Sequence, residues 1–379
     1  MPRLPALTHL TSVPRVRRRS GDRVLLALPG RGPMRVVFDQ AVVHEAFSFK
    51  ARVLQRTARL VFKPILLHTP LSDRSLATIR RIDKLSARRK RSRYIEPVRH
   101  DLGGVPVESM THRYGPATQM TLLYLHGGGF FSGSIETHRR ICERLALKTG
   151  ATVISVDYVQ LPEGSVAESV QDVITAYAAL VEQSEHPDKI VVAGDSAGGY
   201  LAMKVAELAT RRGLPAPAAL LGFSPLLSVD PERQDKAVVR VIRDRDAYLP
   251  VSRVAQIRER WLPEEGVPIE GYASPLHASA YITSPTFLVA VEDEMLRPEV
   301  EAMALLLSER GVEVETHLWR KQVHAFPVLA DALPESEMAL DLAAEFARRA
   351  VGEPVPEPTV DPDAHEETIV GEMVPGSAA

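Results

Sequence analysis

The sequence predicts an α/β fold in which helices cover both faces of a mostly parallel central sheet. Between residues 94 and 351, short apolar runs of strand length alternate with segments of helical length, which is the pattern of a parallel sheet with crossover helices. Two kinds of boundary signal support this interpretation, namely residues that cap helix starts and glycines that end helices. Together they predict one large α/β region with segments of different composition on either side.

The predicted elements follow one another in chain order. The apolar, strand-like runs are Met120–Leu125, Ala151–Val156, Lys189–Ala193, Leu220–Phe223, Thr286–Val291 and Val312–Trp319. The predicted helices are Glu136–Thr149, 165–183, a segment that ends at Gly213, and 298–311. Ser165 and Glu168 have the spacing of a capping box, and Gly150 stands where a helix should end.

The composition places the chain among globular proteins. Of its 379 residues, 45% are apolar and 25% are charged, which excludes a disordered or fibrous chain. The formal net charge of −2 conceals an asymmetry, because residues 1–100 carry +17 and the remaining residues carry −19. A basic head joined to an acidic body indicates interaction with an anionic surface or with the chain itself.

Composition also divides the chain into three predicted regions. Residues 1–93 are a basic N-terminal extension, residues 94–351 are the α/β domain, and residues 352–379 are an acidic, proline-rich tail. The tail is predicted to be disordered, because it has too little apolar surface to offset the entropy lost on ordering.

Cysteine content and hydropathy suggest a cellular location. The single cysteine, Cys142, excludes an intrachain disulfide framework and a multi-cysteine metal site. The first twenty residues contain no recognisable secretory signal, and the chain contains no apolar run of transmembrane length. We therefore expect a reducing, cytoplasmic location.

The most informative motif is Gly194-Asp195-Ser196-Ala197-Gly198, which lies between a predicted strand and a predicted helix. A nucleophile at a strand-to-helix turn needs a strained backbone, and small neighbours allow the chain to bend that tightly. The N-terminus of the helix behind Ser196 favours developing negative charge. The alternative is an ordinary glycine-rich turn, and the strand before the motif and the helix after it favour the nucleophile.

A second glycine-rich segment, His126-Gly127-Gly128-Gly129-Phe130, follows the end of another predicted strand. Consecutive glycines leave backbone N–H groups unshielded, so that an oxyanion can approach to hydrogen-bond distance. The chain lacks both common phosphate-loop signatures, which argues against the alternative of a phosphate-binding loop. We interpret His126 as a residue that braces this loop.

Candidates for an acid and a base lie further along the chain. The predicted strand Thr286–Val291 is followed by three carboxylates, Glu292, Asp293 and Glu294, and the residues alone leave the choice among them open. His324 follows the next predicted strand, where a general base is expected if the order is serine, acid, histidine. The alternative for His324 is an ordinary histidine of a surface loop.

Jointly these motifs resemble the hormone-sensitive lipase family of carboxylesterases, which have the α/β-hydrolase fold. The similarity covers about residues 94–350. The segments that carry it are HGGGF (126–130), Val-Asp-Tyr (156–158), Pro-Glu (162–163), GDSAGG (194–199), Ser-Pro-Leu (274–276), Asp-Glu-Met-Leu (293–296) and His-Ala-Phe (324–326).

The resemblance implies a role for each candidate residue. Ser196 is expected to be the nucleophile, His324 the base and Asp293 the acid, because the family's Asp-Glu-x-Leu pattern carries its acid at the first position. The expected oxyanion donors are the backbone N–H groups of Gly128, Gly129 and Ala197.

The implied function is that of a serine carboxylesterase or lipase, which hydrolyses acyl esters through an acyl-enzyme intermediate without a metal or organic cofactor. An amidase, a thioesterase or a lactonase would use the same triad, and the fold alone does not separate these activities. A non-catalytic ligand-binding receptor of the same fold is a further alternative. Such receptors lose the triad histidine, whereas His324 is present.

The resemblance also implies a helical cap over the acyl pocket, formed by residues 36–93 and about 228–272. The apolar residues between Val42 and Leu66 have roughly helical spacing. The basic residues beside them, Arg52, Arg56, Arg59 and Lys63, give this region a basic amphipathic character suited to peripheral association with an anionic membrane. The basic run 88–91 lacks interleaved aromatic residues, so no nucleic-acid partner is expected.

Overall fold

The computed structural model describes residues 24–27, 33–36, 41–86, 92–229, 245–262 and 266–354. The tail that was predicted to be disordered lies almost wholly outside these residues, as does most of the chain before residue 41. Within the described ranges the chain forms eleven strands, nine α-helices and a few short 3₁₀ and π segments. None of these helices combines the length and the hydropathy needed to cross a membrane.

The strands are β1 (Val24–Ala27), β2 (Pro33–Val36), β3 (Val42–His44), β4 (Ile95–Leu102), β5 (Val105–His112), β6 (Thr121–Leu125), β7 (Thr152–Val156), β8 (Ile190–Asp195), β9 (Ala219–Phe223), β10 (Thr286–Val291) and β11 (Val314–Trp319). The helices are α1 (Phe49–Thr57), α2 (Lys63–His68), α3 (Asp73–Ser86), α4 (Ile135–Thr149), α5 (Val166–Gln183), α6 (Ala197–Arg212), α7 (Val251–Trp261), α8 (Arg297–Ser308) and α9 (Pro334–Ala350). The 3₁₀ segments are Pro187–Lys189, Pro275–Tyr281 and Phe326–Ala332, and a π segment, Ala58–Phe62, joins α1 to α2.

Nine strands form one sheet in the order β3-β11-β10-β9-β8-β6-β7-β5-β4. The pairs from β3 to β7 are parallel, and β5 and β4 add antiparallel strands at one edge. β1 and β2 pair separately as an antiparallel hairpin. This mostly parallel sheet with helices on both faces is the α/β-hydrolase fold that the sequence predicts, and the prediction is confirmed.

The central strands are buried on both faces, as expected for a parallel sheet covered by helices. Along β6, Leu123 and Leu125 pack in the cluster that contains α5, α6 and α8, whereas Leu122 and Tyr124 pack in the cluster that contains α4 and α9. This alternation follows from the two-residue period of a strand. Because the parallel strands run in the same direction, the loops after β6, β8, β10 and β11 emerge at one edge of the sheet.

Helix boundaries agree with the capping signals in the sequence. Ser165 and Glu168 form the expected capping box at the start of α5, and Ser134 forms a second one at the start of α4. Gly150 and Gly213 end α4 and α6 with φ angles of 71° and 69°, in the left-handed region where glycine avoids the steric cost of a Cβ atom.

The prediction of helices throughout residues 36–93 is wrong at its N-terminal end. Val42–His44 form strand β3, which pairs in parallel with β11 at the edge of the sheet. The His44 ring stacks on that of Trp319, with 3.8 Å between their centroids. The strand conformation therefore depends on contacts with residues about 275 positions away in the chain, which no local periodicity reveals.

A pH-dependent loss of stability is expected from His44. Burial, aided by the charge of His317, lowers the pKa of His44 from its usual 6.5 to about 4. The unfolded chain therefore takes up a proton between pH 6.5 and 4 that the folded chain resists, so the free energy of unfolding falls as the pH falls through this window. In urea titrations at pH 7.5 and 5.0, His44→Phe should reduce this fall by about 1 kcal/mol, allowing for partial solvent exposure. An unchanged pH dependence in His44→Phe would contradict this expectation.

Candidate active site

Ser196 lies at a sharp turn between β8 and α6. Its backbone angles, φ 52° and ψ −117°, are strained for a residue with a Cβ atom. The turn closes tightly because its flanking residues lack side chains: a Cβ on Gly194 would lie 2.3 Å from Gly198 O, and a Cβ on Gly198 would lie 1.8 Å from Leu125 O. The Gly-x-Ser-x-Gly sequence is therefore required by the close contact of three backbone segments.

His324 lies against Ser196, on the loop that follows β11. Its Nε2 atom is 2.8 Å from Ser196 Oγ, and its Nδ1 atom is 2.8 Å from Glu294 Oε2. Ala325 adopts a φ of 52°, and its N–H donates to Ser224 Oγ at 3.2 Å. The hydrogen bond from Ala325 to Ser224 fixes the loop to the chain after β9. The His324 ring is therefore held through its two nitrogens by Ser196 and Glu294, and its loop is held by Ser224.

The expectation that Asp293 contacts His324 is wrong. The Asp293 carboxylate lies 3.9 Å from Lys321 Nζ, whereas the neighbouring Glu294 reaches the imidazole. Glu294 is also held by the strand end, because its Oε1 atom accepts a hydrogen bond from Val291 N–H at 2.8 Å. The loop after β10 thus directs its second carboxylate toward Lys321 and its third toward His324.

The charges around His324 favour its protonated form. Burial lowers the pKa of His324, but the hydrogen bond and the charge of Glu294, followed by the charge of Asp246, outweigh burial and raise it above the usual value. Asp246 belongs to the segment before α7 and is buried. Its carboxylate accepts hydrogen bonds from the N–H groups of Tyr248, Leu249 and Met295.

The glycine-rich loop after β6 lies beside Ser196. Gly128 and Gly129 have φ angles of 119° and 63°, and a Cβ on Gly128 would lie 2.0 Å from Ser132 O. Trp261 Nε1–H donates to Gly129 O at 2.9 Å, which fixes the position of that carbonyl. Within the described ranges, no acceptor is bonded to the N–H groups of Gly128, Gly129 or Ala197, and these three residues line the cavity at Ser196.

Asp195 joins the two glycine-rich motifs. Its buried Oδ1 atom accepts hydrogen bonds from Tyr124 Oη–H at 2.7 Å and from Gly127 N–H at 3.0 Å, and His138 Nε2 lies 3.5 Å from Oδ2. Burial raises the pKa of Asp195, but the charge and hydrogen bond of His138, with the other two donors, lower it overall. A Cβ on Gly127 would lie 2.2 Å from Asp195 Oδ2, so this position also needs glycine.

His126 is a buried, neutral support of the same loop. Its Nδ1–H donates to Gly127 O at 2.8 Å, and its ring stacks on Tyr158 with 4.5 Å between the centroids. Burial, followed by the charge of His138, lowers the pKa of His126 to about 3. Within the described ranges, no three His, Cys, Asp or Glu side chains are grouped as a metal site requires.

A cavity of about 410 Å³ opens above Ser196 and His324, which is the size of a small-molecule site. Most of its wall is apolar and comes from two parts of the chain that precede or interrupt the sheet. The lining residues from these parts include Leu54, Ala58, Phe62, Leu66, Leu71, Ile79, Tyr248, Leu249, Ile257 and Trp261.

Sequence analysis did not identify several residues that contact the site. Asp246 and Trp261 belong to a segment without a recognisable motif, and only its folding back over the sheet brings them to Met295 and Gly129. Asp83 on α3 accepts a hydrogen bond from Gly133 N–H at 2.9 Å and thereby ties this helix to the glycine-rich loop. Glu294 is one of the three carboxylates that follow the predicted strand Thr286–Val291, and its position after that strand is the sequence signal that identifies it as a candidate acid.

Comparisons with known proteins identify the family of the chain. A family described as the alpha/beta hydrolase fold matches residues 122–328. Esterase LipU of Mycobacterium tuberculosis is 34% identical over 242 residues, which make up 62% of this chain and 80% of LipU. An acetyl-hydrolase of Streptomyces hygroscopicus is 31% identical over 240 residues, or 63% of this chain and 79% of the relative. The crystal structure of an esterase from the bacterial hormone-sensitive lipase family superposes with a TM-score of 0.70 at 25% identity, covering 81% of this chain and 100% of the other.

The chain belongs to the α/β-hydrolase fold family, and within it to the esterases of the hormone-sensitive lipase family. The resemblance that the motifs predicted is thereby confirmed. The protein is a carboxylic ester hydrolase.

The close contact between the Ser196 turn and β6 leads to a prediction about stability. In Gly198→Ala, the added methyl group would lie 1.8 Å from Leu125 O, so α6 and β6 must separate, and we expect a loss of about 3 kcal/mol or more in the free energy of unfolding. Gly213→Ala is the matched control at the other end of α6. It has no atom within 4 Å of the added methyl group and should cost only about 1 kcal/mol, for the positive φ. Equal losses in urea titrations of the two variants would show that this contact is not the constraint.

Proposed function

We propose that the protein hydrolyses acyl esters through a triad of Ser196, His324 and Glu294. One observation carries this proposal, the continuous hydrogen-bonded chain from Ser196 Oγ through both nitrogens of His324 to Glu294 Oε2. A serine hydroxyl is a weak nucleophile at neutral pH and needs a base within hydrogen-bond distance, and the base needs a partner that fixes its tautomer. Each of these requirements is met by a named contact.

In the first step, Ser196 Oγ attacks the ester carbonyl while its proton passes to His324 Nε2. The carbonyl oxygen becomes an oxyanion, and the imidazolium is stabilised by Glu294. When the intermediate collapses, the bond to the alcohol oxygen breaks, His324 returns the proton to that oxygen, and the acyl group remains on Ser196. Water then attacks the acyl-enzyme, with His324 as base again, and releases the carboxylic acid.

The oxyanion is expected to bind to the N–H groups of Gly128, Gly129 and Ala197. These groups line the cavity and have no other acceptor within the described ranges, so they are available to the developing charge. Losing one such donor typically raises the barrier by about 3–4 kcal/mol. Asp195 supports the hole indirectly, because its contact with Gly127 N–H sets the position of the glycine-rich loop relative to Ser196.

The acyl group is expected to occupy the apolar cavity above the triad. We assign its walls, which come from the segment 49–86 and from residues 248–261, to a cap of the kind that the resemblance implies. Three hydrogen bonds hold these parts to each other and to the body: Arg59 to Arg245 O, Lys63 to Asp246 O, and Gly133 N–H to Asp83. The apolar walls favour esters with an apolar acyl chain.

Adjacent carboxylates provide a direct test of the triad. With a p-nitrophenyl ester as substrate, Ser196→Ala should reduce kcat/KM to background, and Glu294→Ala should reduce it by about 10⁴-fold, since the base loses its orienting partner. Asp293→Ala is the matched control and should remain within about threefold of the unchanged enzyme, because its side chain faces Lys321. Full activity in Ser196→Ala would reject the nucleophile, and the reverse ranking of the two acidic variants would make Asp293 the acid.

The pH profile should report the charge of Asp246. His324 must be neutral to accept the serine proton, so kcat/KM rises with pH through the pKa of the free enzyme's histidine. The negative charge of Asp246 contributes to raising that pKa. In Asp246→Asn the pKa should therefore fall, and the acidic limb should move to lower pH, whereas Asp341→Asn on α9 should leave it in place. An acidic limb that stays in place or moves to higher pH in Asp246→Asn would contradict this electrostatic effect.

A further inference from the structure

The segment from Phe49 to His68, which is helical throughout, carries apolar side chains on two opposite faces. One face lines the cavity above Ser196 and consists of Leu54, Ala58, Phe62 and Leu66, at intervals of four residues. The other face consists of Phe49, Val53, Leu60, Val61, Ile65 and Leu67, all of which are exposed to solvent. We call this second set the outer face. Phe49 and Leu60 are 76% and 75% exposed, and Ile65 is 56% exposed.

Packing on the body explains only the first of these faces. A helix at the surface of a globular protein normally carries one apolar stripe and a polar opposite side. Single exposed apolar residues are common, but six of them on the one helical segment 49–68 indicate an interaction surface. The outer face therefore needs a partner that the hydrolase body does not provide.

The charges beside the outer face identify the kind of partner. Between Glu45 and Asp73 the chain contains no acidic residue. The exposed basic residues along this helix are Lys50, Arg52, Arg56 and Arg59. Apolar side chains flanked by cations on one helix are typical of segments that lie in the interface of an anionic bilayer. A second copy of the chain would have to offer an apolar surface with an acidic rim, which is a narrower requirement.

We propose that the outer face docks on anionic phospholipid. Its apolar side chains enter the interface between headgroups and acyl chains, while Lys50, Arg52 and Arg56 contact lipid phosphates. The same helix would then separate the bilayer from the acyl cavity, with one apolar face toward each. Docking itself does not depend on the triad. Only the supply of ester substrates from the bilayer rests on the proposed function.

Vesicle flotation of the full chain tests the docking. The protein should float with vesicles of phosphatidylcholine and phosphatidylserine, more weakly as salt is added, and far less with phosphatidylcholine alone. Phe49→Ser/Leu60→Ser/Ile65→Ser should abolish flotation. Lys50→Gln/Arg52→Gln/Arg56→Gln should weaken binding about a hundredfold, or about fivefold for each basic residue near the surface.

The matched control is Tyr114→Ser/Val267→Ser/Met338→Ser, which removes three exposed apolar side chains elsewhere on the surface and should float like the unchanged protein. Hydrolysis of a soluble p-nitrophenyl ester without vesicles should be the same in all these variants, since none of the substituted residues lines the cavity. That assay reports the triad independently of docking.

Three outcomes would overturn the proposal. The first is no flotation of the unchanged protein, or equal flotation with both kinds of vesicle. The second is unreduced flotation of the outer-face variant, which would assign binding to another part of the chain. The third is a dimer in sedimentation experiments that the outer-face variant abolishes, because a second copy would then cover this surface.

Discussion

The site depends on the contact between the Ser196 turn and the end of β6, where only hydrogen atoms fit between the backbones. A Cβ on Gly198 would lie 1.8 Å from Leu125 O, and one on Gly127 would lie 2.7 Å from the backbone oxygen of Asp195. Because β6 and β8 are adjacent parallel strands, the two glycine-rich motifs that follow them meet through backbone contacts and through the side chain of Asp195. The position of Ser196 relative to the N–H groups of the neighbouring loop is therefore set by backbone contact together with the hydrogen bond from Gly127 to Asp195.

Each buried carboxylate around this contact accepts hydrogen bonds. Taking an unpaired carboxylate out of water costs several kcal/mol, and the site holds Asp195, Asp246 and Glu294 at low exposure. Asp195 is met by Tyr124, Gly127 and His138, and Glu294 by Val291 N–H and His324. Asp246 is met by three backbone N–H groups. These hydrogen bonds also link the loops after β6, β8, β10 and β11, so the groups that satisfy the charges are the ones that hold the site together.

Much of the fold and of the site could be predicted from sequence, because the determinants are local. Strand and helix periods, the capping box at Ser165 and the two glycine motifs all act within a few residues. The prediction of Asp293 as the acid rests on a motif, which specifies a position in the chain. The direction of a side chain depends instead on the conformation of the turn, and in this turn the neighbouring Glu294 is directed toward His324. Strand β3 and the contact from Trp261 to Gly129 O escaped prediction for a related reason. Both depend on residues more than 130 positions apart, which no single-sequence pattern connects.

The difference between local patterns and long-range contacts also applies to the charge asymmetry of the chain. The sequence shows the asymmetry, but it does not show which basic residues face solvent. A net charge near zero is an average over a basic head and an acidic body, and composition alone does not tell a basic surface that packs inward from one that faces solvent. In the structure, some basic residues of the helical segment 49–68 bind the rest of the chain and others face solvent. Arg59 and Lys63 hold the segment before α7 through its carbonyl groups, while Lys50, Arg52 and Arg56 lie exposed beside the outer face. The first group stabilises the wall of the cavity, and only the second remains available for an anionic surface.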